Sequence, residues 1–343
     1  MTQASRIRWI ISAVTVLVIV AAVFAVLLAG GYDSSRALAA LWDGAFGSPY
    51  AVLSATLVRA TPLLFVGLAV GLAFRAGVLN IGAEGQLLAG ATVAVTVGLM
   101  VGGLPRPLAL PLVLIAGAMA GAAWASVAAW LKWKFGVLEV ISTLMLNFVA
   151  SYTVSWAVRG PLQEPTRVYP QTVELAESVR LPALVDGHRL HLGFLLALAL
   201  AIALWWFLTR TAAGFRVRAV GASASAARSA GGIDASRTAA LVFIASGALA
   251  GLGGASEATG VTFALYEGIS PGYGYSAIAV ALLARLHPLA IIGTALLFGA
   301  LEAGAAAMQR DANVPSVLAT VVEALVVLGV LALDRARAPR RSV

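Results

Sequence analysis

The chain has 343 residues, 61% of them apolar and only 11% charged, with a mean hydropathy of +0.94 and a formal net charge of +8. Soluble domains carry about 25% charged residues, so this composition excludes a disordered chain and a soluble enzyme and leaves an all-α, polytopic membrane protein. There is no cysteine, which excludes a disulfide framework, and the basic excess lies between apolar runs, where it sets topology rather than marking a nucleic-acid partner.

In chain order, Arg6 and Arg8 precede an apolar run over 9–30. That run exceeds the roughly 7–15 residues of a signal-peptide core. At 1.5 Å per residue it is long enough to cross about 30 Å of hydrocarbon. Ala-Gly-Gly at 29–31 leaves cleavage as the alternative. Further apolar segments follow at roughly 51–74, 84–103, 108–131, 136–158, 191–209, 238–257, 270–285, 288–308 and 316–333. About ten transmembrane helices are therefore expected, with both termini on one side. Most of the 23 Lys and Arg residues fall on that side, including Arg75, Lys132, Lys134, Arg210 and the tail from Arg335 to Arg341. The positive-inside rule makes it the cytoplasmic side.

The whole chain, 1–343, is read as one transmembrane domain with two long connections. The outer loop 159–190 carries Pro161, Pro165, Pro170 and Pro182. The inner loop 210–237 carries five arginines and one acid, Asp234. Its alanine-rich stretch predicts a short helix from about Ser223 to Ser229, started by a serine; a plain topology anchor is the alternative. A faint repeat relates 69–81 to 279–291, with Arg75 and Arg285 in register. Internal duplication of this kind is common in transporters.

No Walker A sequence is present, so no P-loop ATP site is expected on this chain. His188, His191 and His287 lack metal-site spacing and read as loop or boundary residues. Ser246 sits among small residues suited to close helix contact, and Trp124 reads as packing or an interface aromatic. The informative groups are polar residues near or within the spans, because each needs a partner or a wet cavity. Asn80, Glu84 and Gln86 lie beside glycines between the second and third segments. They either line a solute cavity or form a polar turn with Glu84 in the first turn of a helix. Glu139, Ser142, Thr143 and Asn147 recur at helical spacing and share a face that contacts either solute or another helix.

Several stretches, in order, resemble the permease subunits of bacterial nucleoside-type ABC importers, a branch of a larger family that also serves simple sugars and branched-chain amino acids. They are Gly71 to Gln86, Glu139 to Asn147, Gly214 to Gly221 with Ala226 to Arg228, Ser246 to Gly251, and Gly274 to Leu283. The resemblance implies a multi-pass protein of the bacterial cytoplasmic membrane that is not itself an enzyme and binds no cofactor. ATP-Mg would be held by separate ABC ATPase subunits. The further partners it implies are a second permease subunit, identical or not, an extracytoplasmic solute-binding protein, and membrane lipid. The polar clusters near the spans make Asn80, Glu84, Gln86, Glu139 and Asn147 the candidate substrate pathway. ATPase coupling goes to Gly214, Arg216, Arg218, Gly221, Ala227 and Arg228 in the loop 210–237. The chain departs from the family at Ala222 to Ser225, at Ser229 and at Ser276-Ala277, where an Asn-containing stretch, an aromatic residue and Asp-Gly are usual. The rival substrates are simple sugars or other polar metabolites. The rival class is an ion- or proton-coupled secondary transporter relaying protons through Glu84, Glu139, Glu302 and Glu323.

Overall fold

The computed structural model describes residue 18, residues 21–315 and single positions between 317 and 329. Half of the first predicted segment, most of the last, Glu323, and the basic residues at both chain ends lie outside the described residues. Among the described residues the structure is helical apart from connections and two isolated bridges, Gln171 with Tyr266 and Ala183 with His191. Seven of these helices are long and apolar enough to cross a membrane.

The fold divides into two compact units, Met1–Arg59 with Gly299–Val343, and Ala60–Phe298. In the first, a helix missed in the sequence, α1 (Ser34–Phe46), begins at Asp33, whose carboxylate accepts the backbone N–H groups of Ser35 and Arg36. Such a cap satisfies donors that the first helical turn leaves orphaned. Ala37 and Ala40 of α1 pack with Val23, Leu27, Met308 and Val314.

Helix α2 (Ala51–Arg75) starts with a π-helical turn and leads into a stretch without regular secondary structure at 78–81. Within Ala60–Phe298 follow α3 (Ala83–Val101), α4 (Arg106–Phe135), α5 (Glu139–Arg159) and α6 (Leu192–Arg210). Two short helices come next, α7 (Ala212–Ala222) and α8 (Ala224–Gly231). Then come α9 (Ala235–Glu257), extended to Thr262 by a π turn, α10 (Tyr273–Leu283) and α11 (Pro288–Asp311). The predicted segment 270–285 is thus only an 11-residue helix. At 1.5 Å per residue it reaches about half of a bilayer core.

Helices α3, α4 and α9 form the centre of this unit, and glycine is the reason they can approach. A Cβ placed on Gly121 would lie 2.7 Å from the Gly251 Cα, and one on Gly254 would lie 2.9 Å from the Leu87 carbonyl carbon. Gly90 likewise faces Gly251, and Gly117 faces Ala255. Between apolar helices in lipid, dispersion and close backbone approach provide the attraction that water provides elsewhere.

One end of the unit collects the basic residues: Arg75, Lys132, Lys134, Arg210 and the α7–α8 arginines. There the Arg75 Nε donates to the Leu286 carbonyl at 3.2 Å, so the two arginine corners of the sequence repeat meet. At the opposite end the connection 159–190 is pinned to 259–267. Leu181 N–H donates to the Thr259 carbonyl, Leu175 N–H to that of Phe263 and Thr172 N–H to that of Leu265. The Arg180 guanidinium stacks 4.5 Å from the Phe263 ring.

Candidate functional site

Two non-helical segments meet midway along α5 and α9. Residues 78–81 run without regular secondary structure from the basic end, and α3 begins where they stop. Residues 263–272 enter from the opposite end, and α10 begins where they stop. The N-termini of α3 and α10 abut, since a Cβ on Gly274 would run into the backbone of Glu84.

Irregular backbone at membrane depth needs hydrogen-bond partners from its own protein, and the predicted polar residues supply them. The Asn80 side chain accepts the Gly82 N–H at 3.1 Å and exchanges two bonds with the Gln86 amide, at 2.9 and 3.0 Å. It also donates to Ser246 Oγ at 2.8 Å, and Ser246 donates to the Ala69 carbonyl at 2.7 Å. Asn147 Oδ1 accepts the Gly85 N–H at 2.8 Å, and its Nδ2 donates to the Ile81 carbonyl at 2.9 Å and toward the Tyr275 hydroxyl at 3.3 Å. Asn80, Gln86 and Asn147 are all buried.

Glu84 serves the starts of both helices. It lies in the first turn of α3, and its Oε2 accepts the Gly274 N–H in the first turn of α10 at 2.6 Å. Ser270 bonds the same carboxylate and accepts the Gly272 and Tyr273 N–H groups at 3.2 and 3.1 Å. One carboxyl group therefore sits where two helix dipoles present their positive ends.

Glu139 is elsewhere. It opens α5 at the basic end and pairs with Lys132 Nζ at 2.7 Å. Ser142 and Thr143 are buried on its helix, but their hydroxyls bond their own helix carbonyls, including that of Glu139. The structure therefore groups Asn80, Glu84, Gln86 and Asn147 and leaves Glu139 outside. Sequence reasoning missed Ser270 and Tyr275. It read Ser246 only as a small residue; the apolar run around it hid its hydroxyl, although the pairing with Asn80 needed a partner at that depth. Trp124 packs against Gly85 with its Nε1 buried and unpartnered.

The six residues of the basic-end loop divide by role. Gly214 is buried where a Cβ would strike the Phe207 carbonyl; Gly221 is exposed, yet a Cβ there would strike the Arg75 carbonyl. Ala227 is buried with Val220 and Ala235. Arg216, Arg218 and Arg228 are exposed. The predicted serine start is present: Ser223 Oγ accepts the Ala226 N–H at 3.2 Å, and Gly232 closes α8 in the left-handed region at φ 59°. Thus α7 and α8 form a packed pair with an arginine-bearing outer face.

A bundle of long helices with a half-length helix, α10, meeting the start of α3 is transporter architecture, and comparison with known proteins decides which. The pattern of the permease component of branched-chain amino acid transport systems matches residues 52–331. The chain belongs to this permease family. The permease is 39% identical to a glucose ABC transporter permease of Haloferax volcanii, over 80% of this chain and 75% of that one. It is 38% identical to a guanosine ABC transporter permease of Bacillus subtilis, over 88% and 87%. It is 31% identical to a nucleoside ABC transporter permease of Lactococcus lactis, over 88% and 85%. No solved structure matches it significantly.

Proposed function

We propose that this permease is the membrane-spanning subunit of an ABC importer that carries nucleosides into the cell. The observation that carries this reading is the nearly end-to-end similarity to guanosine and nucleoside permeases, each covering 88% of this chain. The chain acts with a second permease subunit in the bacterial cytoplasmic membrane, about ten helices crossing it and both termini inside. ATP-Mg is held by separate ATPase subunits on the basic face, and a solute-binding protein docks over 159–190. Transport proceeds by alternating access. The solute passes beside the junction of α3 and α10, whose backbone Asn80, Glu84, Gln86 and Asn147 hold in place by replacing lost helix bonds. Motion of the ATPases reaches that junction through α7–α8, whose Gly221 rests on the end of α2. Glu139 fixes the α4–α5 corner through Lys132.

A simple sugar is the second reading, favoured by the 39% identity to the glucose permease. Uptake in cells carrying the complete importer separates the two. Deleting this chain should abolish entry of labelled guanosine and leave glucose entry unchanged. Loss of glucose entry alone would assign the sugar. Uptake that survives ATP depletion but stops when the proton gradient is collapsed would overturn the ABC mechanism.

A further inference from the structure

We propose that the cavity at the basic end of this permease binds the headgroup and upper chain of an anionic phospholipid from the adjacent leaflet. The cavity measures about 980 Å³ and lies between the end of α4, the α7–α8 pair and the start of α9. Its two ends differ in chemistry. The deep wall is Ala128 and Ala129 of α4 with Ala239, Ala240 and Phe243 of α9. The rim carries Lys132, Arg228 and Arg237 against Glu139 and Asp234.

The rim acids are already engaged. Glu139 binds Lys132 at 2.7 Å, and the Asp234 carboxylate caps α9 by accepting the Arg237 N–H at 2.9 Å. Among the described residues the Arg237 guanidinium has no partner, and Arg228 uses only its Nε, on the Ala224 carbonyl at 3.3 Å. The rim therefore offers the Arg237 guanidinium to an anion, beside Arg228 on the ATPase-facing helix α8, and planar guanidinium suits phosphate.

The deep wall says which anion. From Arg237 to Phe243 the helix descends about 9 Å, and both walls belong to helices long and apolar enough to span. A free phosphate has no use for an alkyl floor, whereas a lipid fills floor and rim together. Trp133 stands 80% exposed at the mouth, and Lys134 lies 5.5 Å from the Trp130 ring centre, an arrangement suited to the headgroup level. Basic pockets between membrane helices on the cytoplasmic side suit such headgroups. This site is separate from the solute junction and does not depend on which solute is carried.

Native mass spectrometry of the full-length permease, titrated with dioleoylphosphatidylglycerol or dioleoylphosphatidylcholine, tests the proposal. The expected result is one retained phosphatidylglycerol and preferential loss of phosphatidylcholine. Arg237→Gln should weaken the phosphatidylglycerol adduct about fivefold, the factor for one basic residue facing an anionic surface. Ala240→Leu, which fills the floor and keeps every charge, should remove it, and Arg210→Gln, at the same end but outside the cavity, should not. Equal retention of both lipids, or wild-type binding by Arg237→Gln and Ala240→Leu alike, would overturn the proposal. So would displacement of the lipid by millimolar glycerol phosphate, which would make this a free phosphate site. Loss of the adduct on adding the ATPase subunits would assign the cavity to a protein partner and overturn it too.

Discussion

Asn147 shows how much one amide can hold at membrane depth. It serves a donor on α3 and an acceptor in the stretch before it. Asn147→Ala leaves the Gly85 N–H and the Ile81 carbonyl without this partner. Each orphaned group costs about 1–3 kcal/mol, so the expected outcome for the two is a loss of about 2–6 kcal/mol, read as a lower melting temperature in detergent at equal expression. Glu84 gives a sharper comparison. If its task is to cap α10, Glu84→Gln retains an acceptor for the Gly274 N–H and should keep most stability and uptake. Glu84→Ala removes the cap at a cost of about 1–3 kcal/mol. Strong loss of solute preference in Glu84→Gln with unchanged melting would instead make the carboxylate a solute contact. The sequence marks these residues as polar interruptions beside glycines, and that was enough to group Asn80, Glu84 and Gln86. It did not show that their partners are backbone groups, because the chain that needs them is brought there by folding. Glu139 was misplaced with Asn147 because two residues on one helix face are still eight positions, about 12 Å, apart.

At the level of elements, apolar runs located α2 to α6, α9 and α11 well, since a bilayer selects for length and hydropathy directly. Helices α1 and α10 were harder. The first is short and capped by Asp33 within a stretch that reads as a connection, and the second is a continuous apolar run cut to half-length by Gly272 at φ 105°. Helix α8 was legible from its serine start, whereas α7 before it was not read, and the geometry of α8 refines where to break it. Ala226 lies in the first turn of α8, where its N–H meets only the Ser223 side chain, and proline is tolerated in a first turn. The Ala227 N–H instead donates to the Ser223 carbonyl at 3.0 Å. Ala227→Pro should therefore cost about 3 kcal/mol within α8 and uncouple ATP hydrolysis from uptake. Arg218→Lys combined with Arg228→Lys keeps charge but loses the planar fork. It should preserve insertion and weaken co-purification of the ATPase subunits. Normal assembly and solute-stimulated hydrolysis in both variants would reduce the pair to a topology anchor.

For the molecule as a whole, acid should destabilise the unit Ala60–Phe298 in two stages. Burial, with a smaller contribution from Arg189, lowers His191 to about 4 from its usual 6.5. Between those values the unfolded chain binds a proton that the folded chain refuses, so stability falls as pH drops through that window. The loss is roughly 2 kcal/mol from pH 7 to pH 5. His191→Asn keeps an acceptor for the Gly193 N–H and should flatten this part of a melting-temperature profile. Hydrogen bonds from Arg159, at 2.7 Å to both carboxylate oxygens, and from Ser155 hold Glu267 down at about 2. Its contribution is present above about 4.5 and is lost as pH falls toward 2. A profile unchanged by His191→Asn between pH 7 and pH 5 would contradict the first stage.

The connection 159–190 also determines what cutting it would do. Arg167 is exposed at its tip with φ 53°, a shape and position open to trypsin. On the α6 side of that point, Thr172, Leu175 and Leu181 are bonded into the α9–α10 connection, and on the α5 side Arg159 and Ser155 hold Glu267 of the same segment. A single nick at Arg167 therefore leaves both new chain ends anchored to a common third strip of backbone. The two fragments would separate on a denaturing gel yet travel as one particle in detergent. Any opening on this face then carries the loop and that strip together, as a hinged plate rather than a loose flap.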